Sequence, residues 1–387
     1  MIGPVVRISP YEFSIDSPSA VKPIYGLGTN FRKSFWYDAS SNPDYHTEDL
    51  FSGRDPKLHA QNRRKVASLY SMSTLLKMEE PVNQCIDLLT QRLDEKAKDG
   101  KPIRLQWWMQ CYAFDVISII TVDKRFGYLD EGKDPIGLIA VVEAGLSYTS
   151  IVGIYSEIHR VLFSILKRFG DLGAAATVGF ATQQIQQRMS MLKKDPGGGA
   201  GNDNFLDTML RMHAESPEKF KFEDVVGTCS GNFFAGSDTT SITLTGLLWN
   251  LIDNPDVFKK LRDEIDAKVE AGEISEAVAF AEAQKLPYLQ ACIQEGLRMH
   301  SSVGMPLGRV VPPEGATVAG TYFPGGTVVG INPWVSNYNK EVFGNDADQY
   351  RPERWLQAPE KVNQMNQYML SVSFALLILQ CTWVDFS

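Results

Sequence analysis

The chain has 387 residues, of which 44% are hydrophobic and 22% charged, a composition typical of a globular protein with a large core. Lysine and arginine total 38 against 46 acidic residues, so the net charge is −8 and nothing indicates nucleic-acid binding. The five cysteines lie far apart without a C-x-x-C pair, which favours a reducing compartment over a disulfide framework.

No membrane segment is visible in the sequence. The first residues contain no apolar signal-peptide core. No run of about 18 apolar residues occurs, and the longest strongly apolar stretch, residues 374–379, is too short to span a bilayer. The sequence therefore predicts a soluble chain with no transmembrane anchor.

Helical patterns dominate the first half of the chain. Residues 5–15 alternate loosely in polarity and predict short strands. Apolar residues spaced three and four apart then predict helices across 57–97, with Pro81 in a first turn, and across 105–122. Residues 135–192 predict two or three further helices.

A loop and a second set of helices follow. Residues 195–202 are rich in glycine and predict a loop, but not a domain boundary, because helical patterning resumes at once. Helices are predicted over 222–251, 255–269 and 287–300. Short β runs cluster only across 308–329, between prolines and glycines. The predicted fold class is therefore mainly α with a small β region.

Residues 235–240 (AGSDTT) interrupt the regular pattern of the predicted helix 222–251. Gly236 lies in its interior, where glycine costs about 1 kcal/mol relative to alanine. Small side chains there let another group approach the backbone closely, and Asp238 and Thr239 place a carboxylate and a hydroxyl beside that opening. A simple helix kink or close packing between helices is the alternative interpretation.

Arg298 follows Glu295 at the i+3 position of the predicted helix 287–300, so their side chains can pair. Taken alone, this spacing favours a solvated surface salt bridge worth less than about 1 kcal/mol. A second arginine motif follows at 350–355 (YRPERW), which contains Arg354.

These three motifs, in this order, resemble those of the cytochrome P450 haem-thiolate monooxygenases, and the resemblance covers about residues 1–370. Segments 5–15, 62–76 and 332–338 are similar to fungal members that act on specialised metabolites. The resemblance implies a single domain over 1–371 and a haem b cofactor. It also implies insertion of one oxygen atom from O2 into an apolar small molecule, with electrons from NADPH through a separate reductase.

The resemblance assigns roles to the three motifs. Asp238 and Thr239 would deliver protons to bound oxygen, as positioned general acids do. Their presence disfavours an isomerase-like member that uses hydroperoxides. Glu295, Arg298 and Arg354 would form a buried triad that holds the haem-side architecture without doing chemistry.

Two further positions match the family's haem-propionate anchors. Arg63 would clamp a carboxylate, with His59 in the place of the tryptophan of a W-x-x-x-R motif. The alternative is an ordinary charged helix face through Arg64 and Lys65. Arg309 occupies the family's other propionate-binding position, on a short strand.

The segment 374–383 (FALLILQCTW) departs from the family. The expected ligand loop is F-[GS]-x-G-x-R-x-C-x-G, whose cysteine thiolate binds iron. Phe374 and Cys381 keep the expected spacing, which makes Cys381 the candidate iron ligand. Every glycine is missing, however, and Leu379 replaces the arginine.

The register of this segment is also ambiguous, because residues 365–371 resemble a family lead-in that would put Leu379 at the ligand position. Residues 372–387 are then an aberrant tail of foreign sequence, as from a frameshift or a retained intron. We expect a cytochrome P450 fold that lacks the normal cysteine-ligand loop and final helix, truncated at both ends. A complete member would be anchored to the endoplasmic reticulum membrane. The competing hypothesis is a haem-free, non-catalytic remnant of the fold.

Overall fold

A computed structural model describes the chain in five stretches, residues 3–26, 28–43, 49–169, 174–194 and 204–370. By its internal contacts the chain divides into two compact units. The helical unit is Phe35–Ser241, and the mixed unit combines Met1–Ser34 with Ile242–Ser387. The predicted loop 195–202 and the predicted aberrant ligand loop both lie outside the described residues.

The strands of the described residues all belong to the mixed unit. They are β1 (Val5–Ser9), β2 (Glu12–Ile15), β3 (Arg32–Lys33), β4 (Arg309–Val310), β5 (Ala316–Val318), β6 (Thr321–Phe323) and β7 (Val328–Gly330). The larger sheet has the order β1-β2-β7-β4-β3, in which only β2 and β7 pair in parallel. Strands β5 and β6 form a separate antiparallel pair. Residues 5–15 and 308–329 therefore contain strands, as predicted.

Helices account for most of the described residues. The first of them, α1 (Pro18–Tyr25), belongs to the mixed unit. Those of the helical unit are α2 (Pro56–Val66), α3 (Met72–Leu75), α4 (Glu79–Lys98), α5 (Leu105–Val122), α6 (Tyr128–Glu131), α7 (Leu138–Val152), α8 (His159–Leu166), α9 (Ala174–Lys194), α10 (Phe205–Glu215) and α11 (Phe222–Ala235).

The chain then continues through α12 (Asp238–Asp253), which begins in the helical unit and ends in the mixed unit. The remaining helices are α13 (Pro255–Glu270), α14 (Phe280–Ala283), α15 (Pro287–Met299), α16 (Pro333–Ser336), α17 (Lys340–Phe343) and α18 (Pro359–Tyr368). Short 3₁₀ turns cover Phe35–Ser40, Ala67–Tyr70, Leu76–Met78, Gly153–Ile158, Lys167–Phe169 and Pro352–Leu356. The predicted fold class, mainly α with a small β region, is confirmed.

The best-predicted helices have strong local signals. In α13 and α15 a proline occupies the first turn, where its missing N–H is not needed. Helix α5 buries a broad apolar surface that includes Trp108 and Phe114. The sequence did not predict α1, which is short and carries Pro23 in its interior.

Each unit has its own core. In the mixed unit, Ile15, Ile24 and Phe323 pack between the sheet and α1. A second cluster there includes Phe343, Trp355, Tyr368 and neighbouring side chains. The helical unit contains three mutually packed aromatic rings, with ring centroids 5.0 to 5.6 Å apart, from Phe126, Phe180 and Phe233.

The long helix predicted over 222–251 was wrong as a single element. Helix α11 ends at Ala235, Gly236 is its C-cap, and α12 begins at Asp238. Gly236 therefore lies at a break between two helices and not inside one. Its N–H still donates to the Asn232 carbonyl at 2.9 Å, so the interruption is local.

One helical segment of the described residues, Leu138–Leu166, is long and apolar enough to cross a membrane by length and composition, with a mean hydropathy of 1.6. The sequence had predicted none. Both values refer to an 18-residue window of this segment: 39% of the window is buried, and a single such segment is weak support for a membrane span. Its backbone also leaves the helical conformation at Tyr155 (φ −126°, ψ 55°), which separates α7 from α8.

Candidate functional site

The break between α11 and α12 forms one wall of the candidate site. A Cβ atom at Gly236 would lie 2.9 Å from the Asn232 carbonyl oxygen and 2.9 Å from Ile117 Cδ1 on α5. A larger residue would therefore require the Ile117 side chain and the end of α11 to shift. At Gly236 itself, the close helix packing considered from the sequence is present.

Side-chain hydroxyl groups bond to backbone carbonyls at the break. Ser237 Oγ donates to the Phe233 carbonyl at 3.0 Å, and Thr239 Oγ1 donates to the Ala235 carbonyl at 2.9 Å. Such bonds back to the preceding turn are known to bend helices. Thr239 thus has a defined side-chain orientation at the start of α12.

Asp238 begins α12 and is partly buried. Its Oδ1 accepts a hydrogen bond of 3.1 Å from Nε2 of Gln110, a buried residue on α5. Burial raises the pKa of the Asp238 carboxyl, and the negative charge of Glu143 on α7 raises it further, while the Gln110 amide acts in the opposite direction. The result is a carboxyl group with a raised pKa and a neutral partner.

Helix α2 carries His59 and Arg63 one turn apart, so they share a face. Asp55 caps this helix by accepting from the Lys57 and Leu58 amides at 2.8 and 3.2 Å. His59 Nε2 lies 3.2 Å from the Leu50 carbonyl oxygen. Arg63 is half-buried and has no hydrogen bond or ion pair to any residue within the described ranges. Its guanidinium is therefore available to an anionic group.

In the mixed unit, Arg309 lies on β4 between β3 and β7. Its Nη1 donates to the carbonyl oxygens of Leu307 and Gly308 at 3.3 and 3.1 Å, and its guanidinium stacks 5.1 Å from the ring centroid of Tyr25. The Tyr25 hydroxyl in turn donates to the Leu307 carbonyl at 2.9 Å. The arginine side chain is therefore held in one orientation by the residues just before its strand and by Tyr25 on α1.

Glu295, Arg298 and Arg354 form one buried cluster in the mixed unit, with at most 1% of each side chain exposed. Glu295 Oε1 accepts from Arg298 Nη2 at 2.8 Å and from Arg354 Nε at 2.9 Å, and Oε2 accepts from Arg298 Nε at 2.9 Å. Trp355 Nε1 and the backbone N–H of Arg351 also donate to this carboxylate, which therefore accepts five hydrogen bonds. The pair is not the solvated surface bridge that its spacing alone favoured.

The cluster keeps its charges in spite of its burial. Burial alone would raise the pKa of Glu295, but the hydrogen bonds and charges of Arg298 and Arg354 outweigh it, so the pKa lies below its ordinary value. Arg298 Nη1 also donates to the carbonyls of Asn337 and Ala347, both at 2.7 Å. These bonds join α15 to the chain around α16 and to residues 344–350.

The cysteines within the described ranges, Cys85, Cys111, Cys229 and Cys292, are core residues. All four are buried, and burial raises the pKa of each thiol to about 12. A thiol with that pKa stays protonated at neutral pH and is a poor source of a metal-binding thiolate. Cys381 lies outside the described residues.

A mainly helical fold with a small sheet, a hydroxyl–carboxyl pair at a helix break and a buried E-x-x-R cluster defines a class of haem-dependent oxidoreductases. The family model "Cytochrome P450" matches residues 3–371. This chain therefore belongs to the cytochrome P450 family of monooxygenases.

Several fungal proteins are similar to this chain over most of its length. Pisatin demethylase of Fusarium vanettenii is 34% identical over 368 residues, which is 93% of this chain and 69% of that protein. A cytochrome P450 monooxygenase of Aspergillus terreus is 32% identical over 95% of this chain and 76% of its own length. The monooxygenase cicH of Emericella nidulans is 32% identical, with 95% and 74% covered.

Membership in the family implies a haem iron cofactor, and the described residues partly fit it. Arg63 is half-buried, lies one turn from His59 and pairs with no carboxylate of the described residues, so its guanidinium has the chemistry needed to bind a propionate. Arg309 offers a second, well-oriented guanidinium. No cysteine within the described ranges is suited to ligate the iron.

The residue that sequence reasoning missed is Gln110. It is only 3% exposed and is the hydrogen-bond partner of Asp238. Its signal was a polar amide within the strongly apolar helix α5, where every buried polar group needs a partner. That signal reveals that a partner exists but not which residue it is.

Proposed function

We propose that this chain is a haem monooxygenase that oxidises an apolar small molecule of secondary metabolism with O2. Electrons would come from NADPH through a separate reductase, because the sequence contains no flavin or dinucleotide fingerprint. We further propose that residues 1–371 act as one domain, that 372–387 are an aberrant tail, and that a complete protein is anchored to the endoplasmic reticulum membrane. The family match over residues 3–371 supports the domain assignment.

The observation that carries the proposal is the pair Asp238 and Thr239 at the start of α12. Thiolate-bound haem supplies activation of dioxygen when it is present. The protein must then deliver protons from groups that gain and lose them near neutral pH. Asp238 has a raised pKa for this purpose, and the Thr239 hydroxyl, oriented by the Ala235 carbonyl, lies next to it in the chain.

The proton-delivery role is tested by replacing Thr239 with alanine in a haem-containing form. We expect substrate oxidation to fall relative to NADPH consumption by about a hundredfold, the lower end of the range for loss of a general acid. Thr240→Ala, at the next position, is the matched control and should leave the ratio unchanged. If the Thr239→Ala enzyme stays fully coupled, the proposed proton-delivery role of Thr239 is contradicted.

The remaining site residues are proposed to hold haem. His59 and Arg63 would bind one propionate and Arg309 the other, while Glu295, Arg298 and Arg354 would stabilise the surrounding fold. Arg63→Gln should weaken haem retention by tenfold or more, because a hydrogen bond to a charged group contributes about 1.5–3 kcal/mol. The exposed neighbour Arg64 offers the control: Arg64→Gln should retain haem normally.

The iron ligand decides between two forms of the proposal. The segment 374–383 lacks the family's glycines, and this favours the alternative of a haem-free, non-catalytic remnant. The absorption spectrum of the reduced, carbonylated chain, compared with Cys381→Ser, separates them. A red-shifted Soret band that the substitution abolishes supports Cys381 as the ligand. Absence of haem uptake, or identical spectra, supports the remnant.

A further inference from the structure

Asp238 differs from the other buried carboxylates of the helical unit in the kind of partner it has. Asp115 accepts hydrogen bonds of 2.9 to 3.0 Å from three backbone amides. Asp207 is held by the Arg188 guanidinium and by the Asn204 side chain. These partners favour the charged form, which suits a structural carboxylate.

Asp238 has no ion pair with any cationic side chain of the described residues, and Gln110 Nε2 is its hydrogen-bond donor there. Gln110 lies on α5 and is only 3% exposed, so its side chain has little room to adopt another orientation. The charged group whose field reaches Asp238 is Glu143 on α7, which has the same sign. Nothing in this environment holds the carboxyl permanently in its charged form.

We propose that Gln110 is the positioning residue of Asp238 and holds its carboxyl in both protonation states. A glutamine amide donates through Nε2 and accepts through Oε1. It therefore donates to the carboxylate and, after rotation about its last torsion, accepts from the carboxylic acid. An arginine or lysine lacks this second ability, because neither has an acceptor. The inference rests on the proposed proton-delivery role of Asp238. It adds Gln110 as the residue that keeps the carboxyl oriented while it is protonated and deprotonated.

The test follows the Asp238 carboxyl directly by 13C NMR of the full chain labelled at aspartate side-chain carbons, with Asp238→Asn used for assignment. Gln110→Met has a similar shape but neither donates nor accepts strongly. It removes both the donor to the charged form and the acceptor for the acid form; because the bond to the charged form is the stronger of the two, the titration midpoint should move to higher pH. Gln106→Met, at an exposed position of the same helix, should leave the midpoint unchanged.

A second signal is specific to the two-state role. The Gln110 side-chain amide nitrogen should titrate with the same midpoint as Asp238, because the amide turns when the acid forms. An amide signal that does not change while Asp238 titrates overturns the proposal, as does an unchanged midpoint in Gln110→Met. Should Gln110→Met fail to fold, Gln110→Glu keeps the shape, removes the donor, and should raise the midpoint further by adding a like charge.

The outcome is separable from the proposed function. If Asp238→Asn stays fully coupled in a haem-containing form while the Gln110 variants shift the titration, the positioning inference holds and the proton-delivery role fails. If Asp238→Asn uncouples the reaction while Gln110→Met leaves both the midpoint and the pH profile of coupling unchanged, the proton-delivery role holds and the inference fails.

Discussion

Two carboxyl groups in this chain have opposite pKa shifts: Glu295 in the mixed unit, which is buried, and Asp238 in the helical unit, which is partly buried. Glu295 accepts five hydrogen bonds and lies against two guanidinium groups, so its pKa is lowered in spite of burial. Asp238 has one amide donor and a like-charged neighbour, so burial dominates and its pKa is raised. Burial alone therefore does not determine what a carboxyl group can do.

The difference is the one expected between a carboxyl group with a structural role and one with a proposed chemical role. A carboxylate that stays charged at neutral pH cannot exchange protons there, and it serves to hold two arginines in place. A carboxyl whose pKa approaches the working pH can act as a general acid. The hydrogen-bond donors and charges on neighbouring helices and turns determine whether the pKa of a carboxyl group is lowered or raised.

The largest expected effect is the loss of the Glu295 charge. Glu295→Gln removes the carboxylate that two buried guanidinium groups share, which costs about 3–5 kcal/mol in free energy of unfolding, measured by urea denaturation. Asp263→Asn, in a surface pair with Lys259 whose side chains are 59% and 73% exposed, should cost less than about 1 kcal/mol. Equal losses of unfolding free energy in the two variants would show that the buried triad contributes no more to stability than a surface ion pair.

The stability that Glu295 contributes also depends on pH. Because its pKa is lower in the folded protein, the contribution is complete above the unfolded-state pKa of about 4.3 and is lost as pH falls through the folded-state value. The difference in unfolding free energy between the unchanged chain and Glu295→Gln should therefore shrink on acidification. A pH-independent difference would contradict the assigned cause.

A smaller loss is expected for Arg354→Lys. Arg354 donates from Nε to Glu295 at 2.9 Å and from Nη2 to the Asp346 carbonyl at 2.9 Å, and its Nη1 donates to the Phe343 carbonyl. A lysine keeps the charge but not the planar arrangement of donors, so about 2 kcal/mol should be lost in urea unfolding. Arg351→Lys, at a more exposed position, should change stability by less than half as much.

For Asp238 the expected sign is reversed. Its folded-state pKa is raised, so its contribution to stability is complete below the unfolded-state pKa of about 3.9 and is lost as pH rises through the folded-state value. Asp238→Asn should therefore gain stability relative to the unchanged chain as pH rises, by up to about 1 kcal/mol, the size of one ordinary hydrogen bond. A variant that becomes less stable at neutral pH would show that the charged form is favoured after all.

The smallest effect is expected for Glu143→Gln. Removing this exposed like charge should move the Asp238 titration midpoint to lower pH, while the free energy of unfolding changes by less than about 0.5 kcal/mol. Glu131→Gln, an exposed acid on α6, provides the control and should leave the midpoint in place. An unchanged midpoint in Glu143→Gln would assign the raised pKa to burial alone.

Much of the fold could be predicted because its signals are local. The helices α5, α13 and α15 have regular apolar spacing or an initial proline, and the strands near Ile15 and Val329 follow turn residues. The break at Gly236 could not be located, because a small residue is compatible with either a continuous or an interrupted helix. The close approach of Ile117 from α5 is a tertiary contact.

The candidate site was predicted less completely. The three-residue spacing of Glu295 and Arg298 indicated that they pair, and the family resemblance added Arg354 as the third member of a buried triad. Neither indicated that Trp355 donates to the same carboxylate. The spacing of two residues along one helix predicts whether they can pair. Whether the pair is buried depends on which other parts of the chain pack over that helix. Gln110 carried no recognisable motif at all.

The sequence by itself determined the order of the helices, the family and the types of side chain available for chemistry, because these depend on periodicity and on short motifs. Only the tertiary structure decided which carboxyl group is locked and which can titrate. A pKa depends on donors and charges within a few ångströms, and distant parts of the chain supply them. Glu295 obtains its second arginine from the turn at 352–356, and Asp238 obtains its amide from α5.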